Sequence, residues 1–182
     1  MKKFILFSMA FILFFINSFG QIAIEEPEYI GEAILVIDDT NGMLLDKEYG
    51  EIKSTVSLSS NDVRKLYIQG GSATCKAKRG EIQFIIRAND NNSDPMSLIT
   101  IYKMHAKKKE RSVALSVDHS DNPFASSKTY SKDKMKFQGK KYGNSSYLIT
   151  TNLETGEYGI IIKNPNGVDE KSPIVSCIGI TE

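Results

Sequence analysis

Nearly every apolar segment of this chain alternates with a period of two or is a short β-branched run, and glycine, asparagine, aspartate or proline interrupts it before it reaches helical length. From Glu81 to Arg87, for example, Ile82, Phe84 and Ile86 fall on one side of an extended chain and Gln83, Ile85 and Arg87 on the other. No long stripe at helical spacing appears. The pattern predicts an all-β domain of about ten strands.

The first twenty residues stand apart. Lys2 and Lys3 precede an apolar run from Phe4 to Ile16, and the small residues Ser18 and Gly20 follow, which is the layout of an export signal cleaved after Gly20. The run is short for a membrane span and lacks a charged stop, so no transmembrane segment is expected after cleavage. Residues 1–20 are thus expected to be a signal peptide and residues 21–182 a single domain, periplasmic or extracellular. A chain of that size buries enough surface to fold without a metal or a disulfide. Removing Lys2 and Lys3 moves the formal charge from +1 to −1, so no field of the whole molecule points to nucleic acid. The charge is unevenly placed: residues 103–141 carry 11 basic and 4 acidic side chains, between two acidic flanks.

Turn chemistry marks the hairpins. Asn41-Gly42 and Gly70-Gly71 supply the positive φ that tight hairpins need, and Arg79-Gly80 turns the chain again. Strands are expected at 32–37, 52–58, 65–69, 72–78, 82–86, 96–104, 111–117, 135–137, 146–151, 157–163 and 174–180, with the polar stretch 118–133 as the longest loop. Cys75 and Cys177 each fall on the apolar side of a strand. In an oxidising compartment they are candidates for a disulfide, and two buried free thiols are the alternative.

Leu153, Gly156 and Tyr158 in "NLETGEYGIII" form L-x-x-G-x-Y. This resembles the tyrosine corner of Greek-key β-sandwiches, in which a tyrosine hydroxyl bonds a backbone group a few residues upstream where the chain arches between sheets. The resemblance implies a Greek-key β-sandwich, with a partly open β-barrel as the alternative. Ile160 stands where antibody-type domains have a cysteine, and the chain has no tryptophan, so immunoglobulin membership is not implied. The leader, the short alternating strands and the "GEYGI" stretch also resemble small secreted β-proteins of Bacteroidetes-type bacteria, a resemblance that adds no activity.

Few residues carry recognisable chemistry. His105 and His119 do not lie in a nucleophile motif, and the cysteines sit in apolar segments that raise a thiol pKa. A glycosidase needs two carboxylates, which distant strands such as those bearing Glu81 and Glu157 would have to supply. Asp90, Asn92 and Asp94 place oxygen ligands at alternate positions, as calcium requires; Pro95 in place of glycine and Ile101 at the twelfth position exclude an EF-hand and leave a looser calcium loop. Lys107, Lys108, Lys109 and Arg111, with Lys134 and Lys136, form a candidate basic patch for an acidic glycan or an envelope protein. From Lys132 to Tyr142 only Phe137 and Tyr142 are interleaved with or adjoin the lysines, and most aromatic residues fall in strand-like segments that read as core, so nucleic acid is not expected. The function implied is a non-catalytic binding protein at the cell envelope; the alternative is a carbohydrate-active hydrolase or carbohydrate-binding module.

Overall fold

The computed structural model describes residues 22–56, 61–119, 127–130, 132–163 and 171–182, so the expected signal peptide, residues 1–20, and residues 120–126 and 131 of the long polar stretch lie outside it. The described chain is all-β, with thirteen strands and one helical turn. The strands are β1 (Ala33–Val36), β2 (Gly42–Leu44), β3 (Asp46–Val56), β4 (Asn61–Gln69), β5 (Lys76–Lys78), β6 (Gly80–Arg87), β7 (Ile99–Ala106), β8 (Glu110–His119), β9 (Ser127–Tyr130), β10 (Gln138–Tyr142), β11 (Ser146–Leu153), β12 (Gly156–Ile162) and β13 (Ile174–Thr181), with α1 (Pro95–Leu98) before β7.

One sheet has five strands in the order β10-β11-β6-β1-β2. In the other, β12-β7-β8-β4-β3-β13 run side by side and β13 returns to pair with β12, which closes a six-stranded barrel. The all-β, two-sheet expectation holds, with one of the two sheets closed into a barrel. A closed barrel leaves no open edge between its members, and only part of its wall packs sandwich-fashion against the five-stranded sheet. The strand expected at 135–137 is absent; the pairing strand follows it as β10, whose polar sequence QGKKY hid it. Residues 96–98 belong to α1, whose first turn is capped by the Asp94 side chain.

The shared wall is made by β7, β12 and β13, and their alternation divides two cores. Ile99, Ile101, Tyr158, Ile160, Ile162, Ile178 and Ile180 face the five-stranded sheet, where they meet Phe84, Ile86, Tyr147 and Ile149. Met104, Val175 and Cys177 face the barrel interior with Leu66, Ile68 and Val113. Each aliphatic side chain so buried contributes about 1.5–3 kcal/mol. Gly159 suits the crowded interior, since a Cβ there would stand 2.9 Å from Val175 Cγ1 and 3.1 Å from Met104 Sδ.

The barrel seam between β7 and β8 is short, with only His105↔Ser112 and Ala106↔Arg111 in register. Farther along, β9 takes the free edge of β8, while the main chain of residues 133–135 bonds β7 through Lys103 N to Asp133 O and Met135 N to Ile101 O. On the far side of the five-stranded sheet, the leading segment is held by Ala23 N to Asp39 O and by the Tyr142 hydroxyl, which donates to Ile24 O. The Glu26 carboxylate accepts from Asn144 N, Ser145 N and Ser146 Oγ. Burial opposes its charge, but these hydrogen bonds and Arg87 hold its pKa below the usual carboxylate value.

The chain crosses from the five-stranded sheet to the barrel at Leu153–Gly156. Leu153 and Tyr158 are buried, Gly156 has φ 154°, and the Tyr158 hydroxyl donates to Glu154 O at 2.8 Å. Burial raises the phenol pKa, and the hydroxyl remains a donor across the ordinary pH range. Tyr158→Phe keeps the buried ring and removes only this hydrogen bond, so it should lower the unfolding free energy in urea by about 1–2 kcal/mol. An unchanged urea midpoint would show that the hydroxyl does not hold the crossing.

Candidate functional site

Alternation along β3 sends Glu48, Gly50 and Ile52 toward the barrel interior and Lys47, Tyr49, Glu51 and Lys53 to solvent. Gly50 faces inward because a Cβ there would stand 2.5 Å from Leu66 Cδ1. On β4 the outward residues are Lys65, Tyr67 and Gln69, and β8 adds Glu110 opposite Gln69. Cross-strand pairing sets Glu51 beside Tyr67 and Lys53 beside Lys65. Together with the turn residue Lys109, these strands line an open cleft of about 930 Å3 on the barrel's outer surface.

The Tyr49 ring is 80% exposed, and Ile174, its cross-strand partner on β13, is 50% exposed. The cations around it are already engaged. Lys47 Nζ lies 2.8 Å from Glu32 Oε1 and 5.8 Å from the Tyr29 ring. Lys53 Nζ lies 2.9 Å from Glu51 Oε2 and 5.5 Å from the Tyr67 ring. The Glu51 carboxylate raises the Lys53 pKa, so that ammonium stays charged. Burial works against the Glu32 charge, yet Lys47 and the Tyr29 amide keep its pKa low. Reading the tyrosines as core is thus corrected for Tyr49. The signal that finds it is the run Lys47-x-Tyr49-x-Glu51-x-Lys53, which sets the ring on the charged side of its strand.

Beneath the cleft the barrel end is closed by charge. Arg111 is fully buried; its Nη2 donates to Glu48 Oε2 at 2.5 Å and to Gln69 O at 3.1 Å, and its Nε donates to Gly70 O at 3.0 Å. Nη1 lies 3.9 Å from Glu157 Oε2 without a hydrogen bond. Glu157 accepts from Ala73 N at 2.7 Å and pairs with Lys76 at 2.8 Å. The loop carrying Gly70 and Gly71 is thereby drawn against the β7–β8 turn. A Cβ on Gly71 would stand 2.5 Å from Lys107 O and 2.9 Å from Lys108 O.

The sequence-derived basic patch is accordingly not one surface. Lys107, Lys108 and Lys109 are exposed on the β7–β8 turn, with Lys107 3.5 Å from Glu110, but Arg111 points into the barrel. Lys134 lies at the register of Tyr102 on β7. Lys136 borders a separate cleft of about 300 Å3 with Glu81, Phe137, Gln138, Thr150 and Asn152.

In the proposed calcium loop the oxygens already serve the turn. Asp90 Oδ1 accepts from Asn92 N, Asp94 Oδ1 accepts from Met96 N, and the Lys141 ammonium donates to Asn92 Oδ1 at 3.2 Å. Buried Asn91 holds the neighbouring turn through Gly143 O and Ser146 O. Among the described residues, no three His, Cys, Asp or Glu side chains converge to hold a metal ion. Glu81 lies on the five-stranded sheet opposite Asn152, whereas Glu157 is tied into the barrel end, so these two carboxylates do not face one cleft. His105 is exposed beside Asp133 at 3.3 Å. His119 ends β8 after Asp118, and Ser120 and Asp121 lie outside the described residues.

No protein-family model, curated protein or solved structure matches the chain. Among the described residues, no helix is long and apolar enough to cross a membrane.

Cys75 and Cys177 are free and buried, the alternative to the candidate disulfide. Cys177 points into the barrel, whereas Cys75 packs in the core on the other side of β13 and donates to Leu44 O at 3.7 Å. Burial and the Glu48 carboxylate push the Cys177 thiol up to about 12, and burial also raises that of Cys75. At pH 8 the folded chain should therefore resist iodoacetamide, and denaturation without reductant should release two alkylatable thiols, read as added mass. A denatured chain that takes no label would contain the disulfide and contradict this arrangement.

Proposed function

We propose that this chain is an exported, non-catalytic binding protein of the cell envelope, and that it engages its ligand on the outer face of β3, β4 and the start of β8. The observation that carries this reading is Tyr49, a large flat ring 80% exposed on a regular strand, with Tyr67 on the adjacent strand and charged groups between them. A paired strand fixes the position and Cα–Cβ direction of Tyr49 before a ligand arrives, which lowers the entropy lost on binding. The leader at residues 1–20 supports the exported address.

The ionisable groups at the barrel end, buried Arg111 and half-buried Glu48 and Glu157, support the non-catalytic half of the proposal. Arg111 binds Glu48 and backbone carbonyls, and Glu157 binds the Ala73 amide and Lys76, which is the behaviour of a structural network. A general acid or base needs a proton free to transfer, and the ion pairs to Arg111 and Lys76 favour the charged carboxylates of Glu48 and Glu157 as fixed partners.

Isolated envelope fragments should sediment with the mature chain, and Tyr49→Ala combined with Tyr67→Ala should release it while leaving the circular dichroism spectrum unchanged. Wild-type protein that stays in the supernatant, or a double variant retained as well as the wild type, would overturn the reading.

A further inference from the structure

The ionic pairs on this face leave a pattern that identifies a class of ligand. Each carboxylate lining the cleft has its own cation: Glu51 has Lys53, Glu110 has Lys107, and Glu48 is bound from below by Arg111, while the lining Lys47 is taken up by Glu32 beside the cleft. Among the described residues, three exposed lysines beside this face carry no such partner. Lys65 stands at one end, next in line to Tyr67 on the outward side of β4, and Lys108 and Lys109 stand at the other, on the turn beyond the Gln69–Glu110 pair. Four residues of strand separate Lys65 from Gln69, or roughly 13 Å at the usual rise. The unpaired positive charge therefore brackets the two tyrosines, while the centre of the cleft is charge-balanced.

We propose that this face binds an anionic polysaccharide in which carboxylated sugars alternate with uncharged ones. The uncharged ring stacks on Tyr49, its hydroxyls meet Gln69 and the Glu51–Lys53 pair, and the flanking carboxylates meet Lys65 and the Lys108–Lys109 turn. A protein partner fits less well, because Lys and Glu are depleted at the centre of protein interfaces and dominate here. A single-stranded nucleic acid would also stack on the rings, but it carries a phosphate at every nucleotide and would press charge onto Glu51 and Glu110. This inference rests on the reading of the face as a binding surface.

Hyaluronate oligosaccharides, an unsulfated alternation of uronate and N-acetylhexosamine, are the probe, with binding to the mature chain read by calorimetry. Dextran, polyglutamate and a thymidine oligonucleotide serve as comparisons. Hyaluronate should bind best, and Tyr49→Ala should weaken it at least about tenfold, the usual worth of one stacked ring. Lys65→Glu with Lys109→Glu should weaken it further and flatten its salt dependence. All these substitutions are at exposed positions, and an unchanged unfolding curve will show that the variants fold.

Equal binding of dextran would remove the anionic requirement and overturn the proposal. Equal binding of polyglutamate or the oligonucleotide would remove the sugar requirement and overturn it too. Tyr49-dependent retention on envelope fragments without hyaluronate binding would sink the ligand assignment and leave the binding reading standing. Loss of both would sink both.

Discussion

A fully buried guanidinium governs how this barrel ends. An isolated charge inside a protein costs several kcal/mol, so Arg111 can occupy its place only if its surroundings are arranged around it. Glu48 from β3, the carbonyls of Gln69 and Gly70 at the end of β4, and the more distant Glu157 from β12 form that arrangement. The consecutive strands β3 and β4 are thereby brought to one point with the distant β8 and β12. Glu157 extends the network to Ala73 and Lys76, so the loop between β4 and β5 closes over the barrel end.

The outer face follows from that closure. Glu48 and Tyr49 are adjacent on β3, and fixing the first inside the barrel fixes the second outside it. In the same way, Arg111 inward places Glu110 and the lysine turn at the rim. The wall formed by β7, β12 and β13 completes the frame: buried on both sides, it fixes the barrel against the five-stranded sheet, and Tyr158 holds the point where the chain passes from one to the other. The interior is thus specified by charge at one end and by aliphatic packing along its length, and the binding face is the solvent side of the same strands.

Much of this was legible in the sequence wherever the cause is local. Period-two alternation gave the all-β class, and Leu153, Gly156 and Tyr158 marked the crossing because that geometry needs only six consecutive residues. Barrel closure was not legible. It depends on pairings such as β12 with β13 and on a two-pair seam between β7 and β8, which no local pattern encodes. Arg111 was grouped with Lys107, Lys108 and Lys109 by proximity, although its alternation with Val113 and Leu115 places it on the buried side. β10 escaped notice because an edge strand buried on neither side can be polar throughout. The cysteines face inward as expected, but toward opposite sides of β13, a distinction that alternation within one strand cannot show.

The direct test of the account is a double-mutant cycle on Arg111→Met and Glu48→Gln, with unfolding free energies measured in urea. Breaking a buried pair from either side should cost about 3–5 kcal/mol. The double variant should be less damaged than the two losses combined, by about 2 kcal/mol, because the second change removes the partner that the first left unpaired. Strictly additive losses, or single variants as stable as the wild type, would mean that Arg111 does not organise the barrel end and that the outer face has another origin.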